Sequence, residues 1–520
     1  MSKQNIEINY IDSIKEKLWK SCDEMRGNVP SEQYMHIIIA IIFLKAMSDK
    51  YEKAGEQIRK KYLNDGERKW LLAKKDLNLL KRYDVQFIVP ESASWSNIQK
   101  YISKEEIGIK IDEALLALEE QNNSLKGLFE KNFSREDLDK QRLSKVIKQF
   151  SDINFSELKE DFIGRLYEYF LGNFFRKQGQ NGGEFYTPQS IVELMVAILA
   201  PDSDSKIYDP ACGTGGMFVQ AKKYLEKHKK DVTQMRVYGQ EFSSTTWKLA
   251  KINLILNGFD PDDTYLGSKA ESTFKEDLSG FEQFDIVLAN PPFNLKIWEN
   301  ENASDDPRYK WGLPPTKNAN YAWLSHILYK LNENGRAAVI LANGALSSSQ
   351  KEELSIRKKM LEENKIEAII SLPDKLFYTT GIPATIWIFN NNKLNDDVIF
   401  INAENLGELA TKKLRVFNTE NINEIVSAYN DAKLNKDFSI KGFAKRVSLN
   451  EIKENDYSLV PGRYIDLLEE EVDKEQLKAE ILEIQNELKI LFKEFTDLIP
   501  DVEKSIEQAI KFADGQEKEK

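Results

Sequence analysis

The sequence predicts a doubly wound α/β domain, a mostly parallel sheet covered by helices, set between a helical N-terminal region and a helical tail. Three observations carry that prediction. Short β-branched runs at 206–208, 236–239, 284–289, 337–342, 366–372, 385–389 and 398–401 alternate with helical stretches. The runs are apolar on both faces, as strands sandwiched between two helical layers must be. On either side of this region the apolar residues recur at helical spacing instead.

From about residue 5 to 150 the chain is rich in Leu, Ile, Lys and Glu, with turn signals at Gly27-Asn28-Val29-Pro30 and Val89-Pro90. This predicts a helical domain over 1–150. Its stretch 34–51 follows Pro30-Ser31 and is apolar almost all round through Ile42, the pattern of a buried central helix. A helical approach, 155–175, leads to the flexible loop Gly179-Gln180-Asn181-Gly182-Gly183. The alternating region then fills a domain over 151–405. Past 405 the chain turns polar, and a helical extension is expected over 406–465, with a turn at Pro461-Gly462. In the tail, 466–520, Leu477, Ile481, Ile484, Leu488, Leu491, Phe495 and Leu498 follow one another at heptad spacing. Such a seam pairs with another chain or folds back on its own.

Composition narrows the function classes. The 520 residues carry 73 Lys and Arg against 84 Asp and Glu, a net charge of -11, and the tail holds 17 of the acids against 8 lysines. The rest is nearly neutral, so net charge does not decide for or against a nucleic-acid partner. Cys22 and Cys212 stand far apart, which excludes a disulfide framework and a thiolate zinc site. His36, His228 and His326 are scattered, so no metal site is expected. The longest apolar run, Ile37 to Leu44, is far shorter than the roughly 20 residues a membrane span needs. The first ten residues lack the apolar core of a secretion signal, and a reducing, cytoplasmic home without membrane attachment is expected.

The chemistry concentrates at three strand ends. The first strand runs into Asp209-Pro210-Ala211-Cys212-Gly213-Thr214-Gly215-Gly216 and then a helix. Glycines at such a bend let the backbone approach a ligand, and the helix start offers free N–H groups. The spacing is neither the dinucleotide fingerprint nor a phosphate loop. Asp209 repels phosphate but can hold a cationic amine, so a small nucleoside-bearing ligand is expected. The second strand ends in Gly239-Gln240-Glu241, where an acid is the usual acceptor for ribose hydroxyls. The fourth is followed by Asn290-Pro291-Pro292-Phe293. The prolines stiffen the turn and cannot donate. An amine can then give one hydrogen to the Asn290 oxygen and one to a backbone carbonyl while its ring stacks on Phe293. Those bonds localise the nitrogen lone pair for attack on a methyl group held in line. Cys212 reads as a small apolar filler.

The order Gly183-Glu184-Phe185-Tyr186-Thr187-Pro188, then Asp209 to Gly216, then Asn290 to Phe293, resembles the adenine-N6 DNA methyltransferases that use S-adenosylmethionine. The likeness continues through Asn334-Gly335-Arg336-Ala337-Ala338-Val339 and Leu372-Pro373 with Phe377 and Thr380-Gly381-Ile382. With the helical N-terminus and tail, the whole is similar to the modification (M) subunit of type I restriction-modification systems. That resemblance implies a Rossmann-like methyltransferase domain and a set of roles. Glu184, Phe185, Tyr186, Thr187 and Pro188 would close over S-adenosylmethionine. Asp209, Ala211, Gly213, Thr214, Gly215 and Gly216 would hold it, and Glu241 would take its ribose. Asn290, Pro291, Pro292 and Phe293 would receive an adenine flipped out of double-stranded DNA. After the third strand Leu266-Gly267-Ser268 stands where many amino-methyltransferases carry an acid. No base-reading element is visible in the chain. The resemblance supplies one in a separate specificity (S) subunit that binds two M subunits, with the heptad tail as docking element, and adds an ATP-driven restriction (R) subunit. Other readings are a self-sufficient adenine-N6 DNA methyltransferase, a protein glutamine methyltransferase, and a catalytically silent methyltransferase-like scaffold.

Overall fold

A computed structural model describes residues 13–23, 31–62, 66–158, 162–178, 187–298, 303–377, 383–411, 414–466 and 474–516. The chain divides into two compact units, Met1–Ile465 and Asp466–Lys520.

The N-terminal part of the first unit is helical, built around the helix Ser31–Tyr62. Residues 34–49 of this helix are buried on every side, as the all-round apolar pattern requires. A buried ion pair within it, Lys45 to Asp49 at 2.7 Å, is doubly supported. The ammonium lies over the Trp95 and Phe155 rings, and Asp49 accepts the Phe155 N–H at 2.8 Å. Burial still pushes the Asp49 carboxyl above its ordinary range. The helices Ile107–Gln121, Lys140–Ser151 and Phe162–Gln178 complete the layer. The core beneath them does not stop at residue 150. It takes in Phe162, Leu166, Phe170 and Phe174, and continues into Leu249, Ile252 and Ile255 of the helix Ser244–Leu256. The Tyr167 hydroxyl donates to the Leu249 carbonyl at 2.8 Å. Helical layer and sheet domain are therefore joined by continuous packing.

The sheet contains β1 (Lys206–Asp209), β2 (Arg236–Gly239), β3 (Thr264–Tyr265), β4 (Phe284–Ala289), β5 (Leu331–Ala342), β6 (Ile366–Ser371), β7 (Ala384–Asn390) and β8 (Val398–Asn402). Beyond these, β9 (Glu408–Thr411) pairs with β10 (Leu414–Val416), while β11 (Ser439–Ile440) and β12 (Ala444–Val447) return to the sheet. The order is β11-β12-β8-β6-β7-β5-β4-β1-β2-β3. β1 to β5 are mutually parallel, β7 runs antiparallel between β5 and β6, and β8 is parallel to β6. Alternate residues feed two cores. Ile207, Ile286, Leu288, Ile340 and Ile370 face one helical layer, and Tyr208, Val287, Ala289, Val339 and Ile369 the other. The chain order reverses between β1 and β4, which opens a crevice at their carboxyl ends.

Two local expectations are corrected. β5 starts at Leu331, before the expected Ala337, because its polar lead Asn332–Gly335 pairs through an irregular register. The 406–465 segment is not simply helical. The helix Thr419–Leu434 is flanked by four strands, and β12 extends the main sheet as the neighbour of β8. A four-residue strand with Lys445 and Arg446 at its centre carries too little apolar pattern to be read from sequence, yet charge suits a strand near a sheet edge.

The second unit contains the helix Lys474–Gln516, with Pro500 in its interior. Its seam residues Ile481, Ile484, Leu488, Leu491, Phe495 and Leu498 are 47 to 64% exposed.

Candidate active site

β1 delivers Asp209 to the crevice, 1% exposed. Its carboxylate accepts the Ala211 N–H at 3.0 Å, closing a short side-chain turn that bends the chain out of the strand. The backbone ladder runs one step further, Gln240 N–H to Asp209 carbonyl at 3.1 Å and Cys212 N–H to Gln240 carbonyl at 2.9 Å. Gly213 and Gly215 then take left-handed φ of 53° and 78°, which only glycine adopts without strain, and the helix Gly216–Lys227 begins. Asn253 braces this turn by donating its amide to the Thr214 carbonyl at 2.8 Å.

Glu241 reaches back over the turn. One carboxylate oxygen accepts the Gly213 N–H at 3.0 Å and the other the Ser243 N–H at 2.8 Å. Asp209 and Glu241 thus flank one glycine turn. Burial, reinforced by the neighbouring Glu241 charge, pushes the Asp209 carboxyl up to about 8 against the opposing Ala211 bond. Burial also raises the Cys212 thiol well above its usual range, leaving a neutral filler.

β4 delivers Asn290. Its amide nitrogen donates to the Thr187 hydroxyl at 2.8 Å, while its carbonyl oxygen is buried with no partner among the described residues. A buried orphan acceptor costs about 1–3 kcal/mol until a donor arrives. Pro291 is buried and Pro292 exposed. Phe293 packs edge-on to Phe377, ring centroids 6.2 Å apart. Asn294 and Asn320 exchange hydrogen bonds of 3.0 and 2.9 Å, fixing the exit of the turn.

One cleft of about 980 Å³, its open mouth included, gathers Thr187, Asp209, Ala211, Gly213, Thr214, Gly216, Glu241, Asn290 and Pro292. Pro188, Gly215, Pro291 and Phe293 stand directly beside these positions in the chain, outside the lining. Glu184, Phe185 and Tyr186 lie outside the described residues, as do Thr380, Gly381 and Ile382. Ser268, the position without the expected acid, is exposed.

Several residues that build the site were not singled out from the sequence. Gln240 is one. Its buried amide donates to the Glu271 and Glu276 carbonyls at 3.1 and 2.7 Å and accepts the Leu278 N–H at 3.1 Å, pinning the chain after β3. Arg308 is another, donating to the Thr273 carbonyl at 2.7 Å, while the Thr273 hydroxyl donates to the Pro210 carbonyl at 2.6 Å. His326 is buried between Tyr208 at 3.0 Å and Arg308 at 3.3 Å, and burial holds it neutral at about 3. Glu168, Gln220 and Thr246 also line the cleft. Among the described residues no three His, Cys, Asp or Glu side chains gather as a metal site, and no helix is long and apolar enough to cross a membrane.

Residues 158–473 match the family described as N-6 DNA Methylase, and residues 14–150 the HsdM N-terminal domain. The chain is 36% identical to the HindI methylase subunit of Haemophilus influenzae, over 76% of this chain and 91% of that one. It is 34% identical to the MjaIX methylase subunit of Methanocaldococcus jannaschii, over 92% and 88%. A type I restriction-modification methyltransferase subunit from Streptococcus thermophilus has the same fold, with TM-score 0.76 and 27% identity over 88% of this chain and all of that one. Fold, cleft and relatives define the class: the chain belongs to the N-6 DNA methylase family. Within that family it is a type I restriction-modification methylase subunit, an enzyme that methylates adenine N6 in DNA.

Proposed function

We propose that the cleft binds S-adenosylmethionine and a flipped-out adenine side by side, and that base selection comes from a separate specificity subunit. The observation that carries this reading is the pairing, in one cleft, of two carboxylates around a glycine turn with an unpartnered Asn290 oxygen. The residues fit the cofactor. Asp209 suits its ammonium, the Glu241 carboxylate beside the same turn suits ribose hydroxyls, and a Cβ built at Gly213 meets nothing within 4 Å. When bound, the cofactor supplies an electrophilic methyl group on a sulfonium.

The chain's own residues do the rest. The Asn290 oxygen accepts one N6 hydrogen, a backbone carbonyl of the Pro291-Pro292 turn accepts the other, and Phe293 stacks on the base. With both hydrogens held, the lone pair points at the methyl group, so no strong base is required before transfer. Glu184, Phe185, Tyr186, Thr187 and Pro188 serve as the cover over the cofactor.

The exposed apolar seam of the tail supports docking onto the helices of an S subunit, two M subunits per S, with an R subunit joining to give the restriction complex on double-stranded DNA. In this organisation 1–150 is the helical domain, 151–405 the catalytic domain, 406–465 its extension and 466–520 the docking tail. A cytoplasmic setting follows from the substrate. The test is tritiated methyl transfer to DNA, with and without a cognate specificity protein, for the native chain and Asn290→Ala. Transfer only with the partner, abolished in the variant, supports the reading. Transfer by the chain alone at a defined sequence overturns the division of labour.

A further inference from the structure

We infer that Thr187 is a positioning residue for methyl transfer: its hydroxyl anchors the Asn290 amide so that the carbonyl end faces the acceptor amine. This rests on the reading of the cleft proposed above. An amide side chain has a donating end and an accepting end, and the N6 amine presents only donors to it. With its nitrogen turned toward the amine, Asn290 would set N–H against N–H. Among the described residues the Asn290 side chain makes one hydrogen bond, from its nitrogen to Thr187 Oγ1 at 2.8 Å, and its oxygen has no partner.

Once the amine is in place, both ends of the amide are satisfied, nitrogen on Thr187 and oxygen on N6. Without the hydroxyl, the same geometry leaves the part-buried N–H₂ group without its partner, and the amide plane loses its lateral hold. The two residues are 103 positions apart in sequence and line the same cleft. Thr187 also opens, through Pro188, the helix Gln189–Leu199. One side chain thereby links the stretch assigned to cover the cofactor with the turn assigned to the acceptor.

The experiment compares Thr187→Val, Thr187→Ala and Thr187→Ser with the native chain, each assembled with a cognate specificity protein and supplied with unmethylated genomic DNA. Single-turnover transfer is read alongside S-adenosylmethionine affinity by calorimetry. The expected result is a ten- to hundredfold loss of transfer rate in Thr187→Val and Thr187→Ala. The loss should persist at saturating S-adenosylmethionine, whatever the variants do to cofactor affinity, and Thr187→Ser should recover most of the rate. Native rates in Thr187→Val, a loss confined to cofactor affinity, or equal loss in Thr187→Ser overturns the inference. Asn290→Ala separates the two levels. If it transfers at the native rate, the reading of the cleft fails; if it is inactive while Thr187→Val is native-like, only the role of Thr187 fails.

Discussion

Replacing Asp209 with Asn should stabilise the empty protein and destroy its grip on the cofactor. The carboxyl is 1% exposed, with the Glu241 charge close by, and it protonates at about 8 instead of near 3.8. At pH 7 the folded protein therefore holds a proton that the unfolded chain has released. That difference costs the folded state about 4 kcal/mol at most. The cost is absent below the unfolded value, grows as pH rises through the interval, and levels off above about 8. Asn has the same shape, keeps an acceptor for the Ala211 N–H and carries no charge to bury. Thermal melts of the apo protein at pH 5 and pH 7 are the assay. Asp209→Asn should melt higher at both, with the gain at pH 5 less than half that at pH 7. In parallel, loss of a charge-assisted bond worth about 1.5–3 kcal/mol should weaken S-adenosylmethionine roughly 10- to 100-fold. A variant that melts at or below the native protein at pH 7, or a gain independent of pH, refutes the reasoning.

Arg336→Ala should cost about 3–5 kcal/mol in urea unfolding, because the guanidinium bonds the Leu199 and Ile198 carbonyls at 3.0 and 3.2 Å and balances the buried Glu367. A loss below about 1 kcal/mol would mean that Lys433 and Tyr429 suffice for Glu367. Truncation after Ile465 should leave cofactor affinity unchanged, since the first unit holds the whole cleft, while abolishing co-purification with the specificity protein. Cofactor binding at pH 7 should expel close to one proton from Asp209, read by calorimetry in buffers of different ionisation enthalpy. At pH 9 the sign should reverse, because Asp209 is already ionised and the free amine, ordinarily near about 7.7–8.0, must take a proton up.

What the sequence makes legible here is local. Asp209 closes β1 and the glycine turn follows it, Glu241 stands two residues past β2, and Asn290 comes directly after β4. Apolar alternation fixes the strands, and the turn residues fall at their ends. What escapes is long-range pairing. Thr187 finds Asn290 across 103 positions, and Asn253 finds Thr214 across 39. Gln240, between Gly239 and Glu241, reads as a spacer until its amide is seen holding three backbone groups of the chain after β3. No period in the chain encodes such partners. β12 was hidden for a different reason: four residues with two charges give no alternation, and only the free edge of β8 selects them. Phe162–Gln178, which the sequence places ahead of the sheet, packs its apolar face into the same core as Ile107 and Val146, a long-range contact no local pattern announces.

The cleft keeps two polar groups in unfavourable states, and on the proposed reading each is relieved by a different ligand. Asp209 is a carboxyl too buried to ionise alone, and a cationic amine restores its charge. Asn290 holds an acceptor without a donor, and the N6 amine supplies one. Both groups stand on strand ends of the same rigid sheet, β1 and β4, paired side by side at Ile207–Ile286 and Tyr208–Val287. The separation between donor and acceptor sites is then set by one strand spacing of about 4.8 Å and by the two turns that follow. On the proposed reading, two unsatisfied groups on neighbouring strand ends favour a cation beside an exocyclic amine.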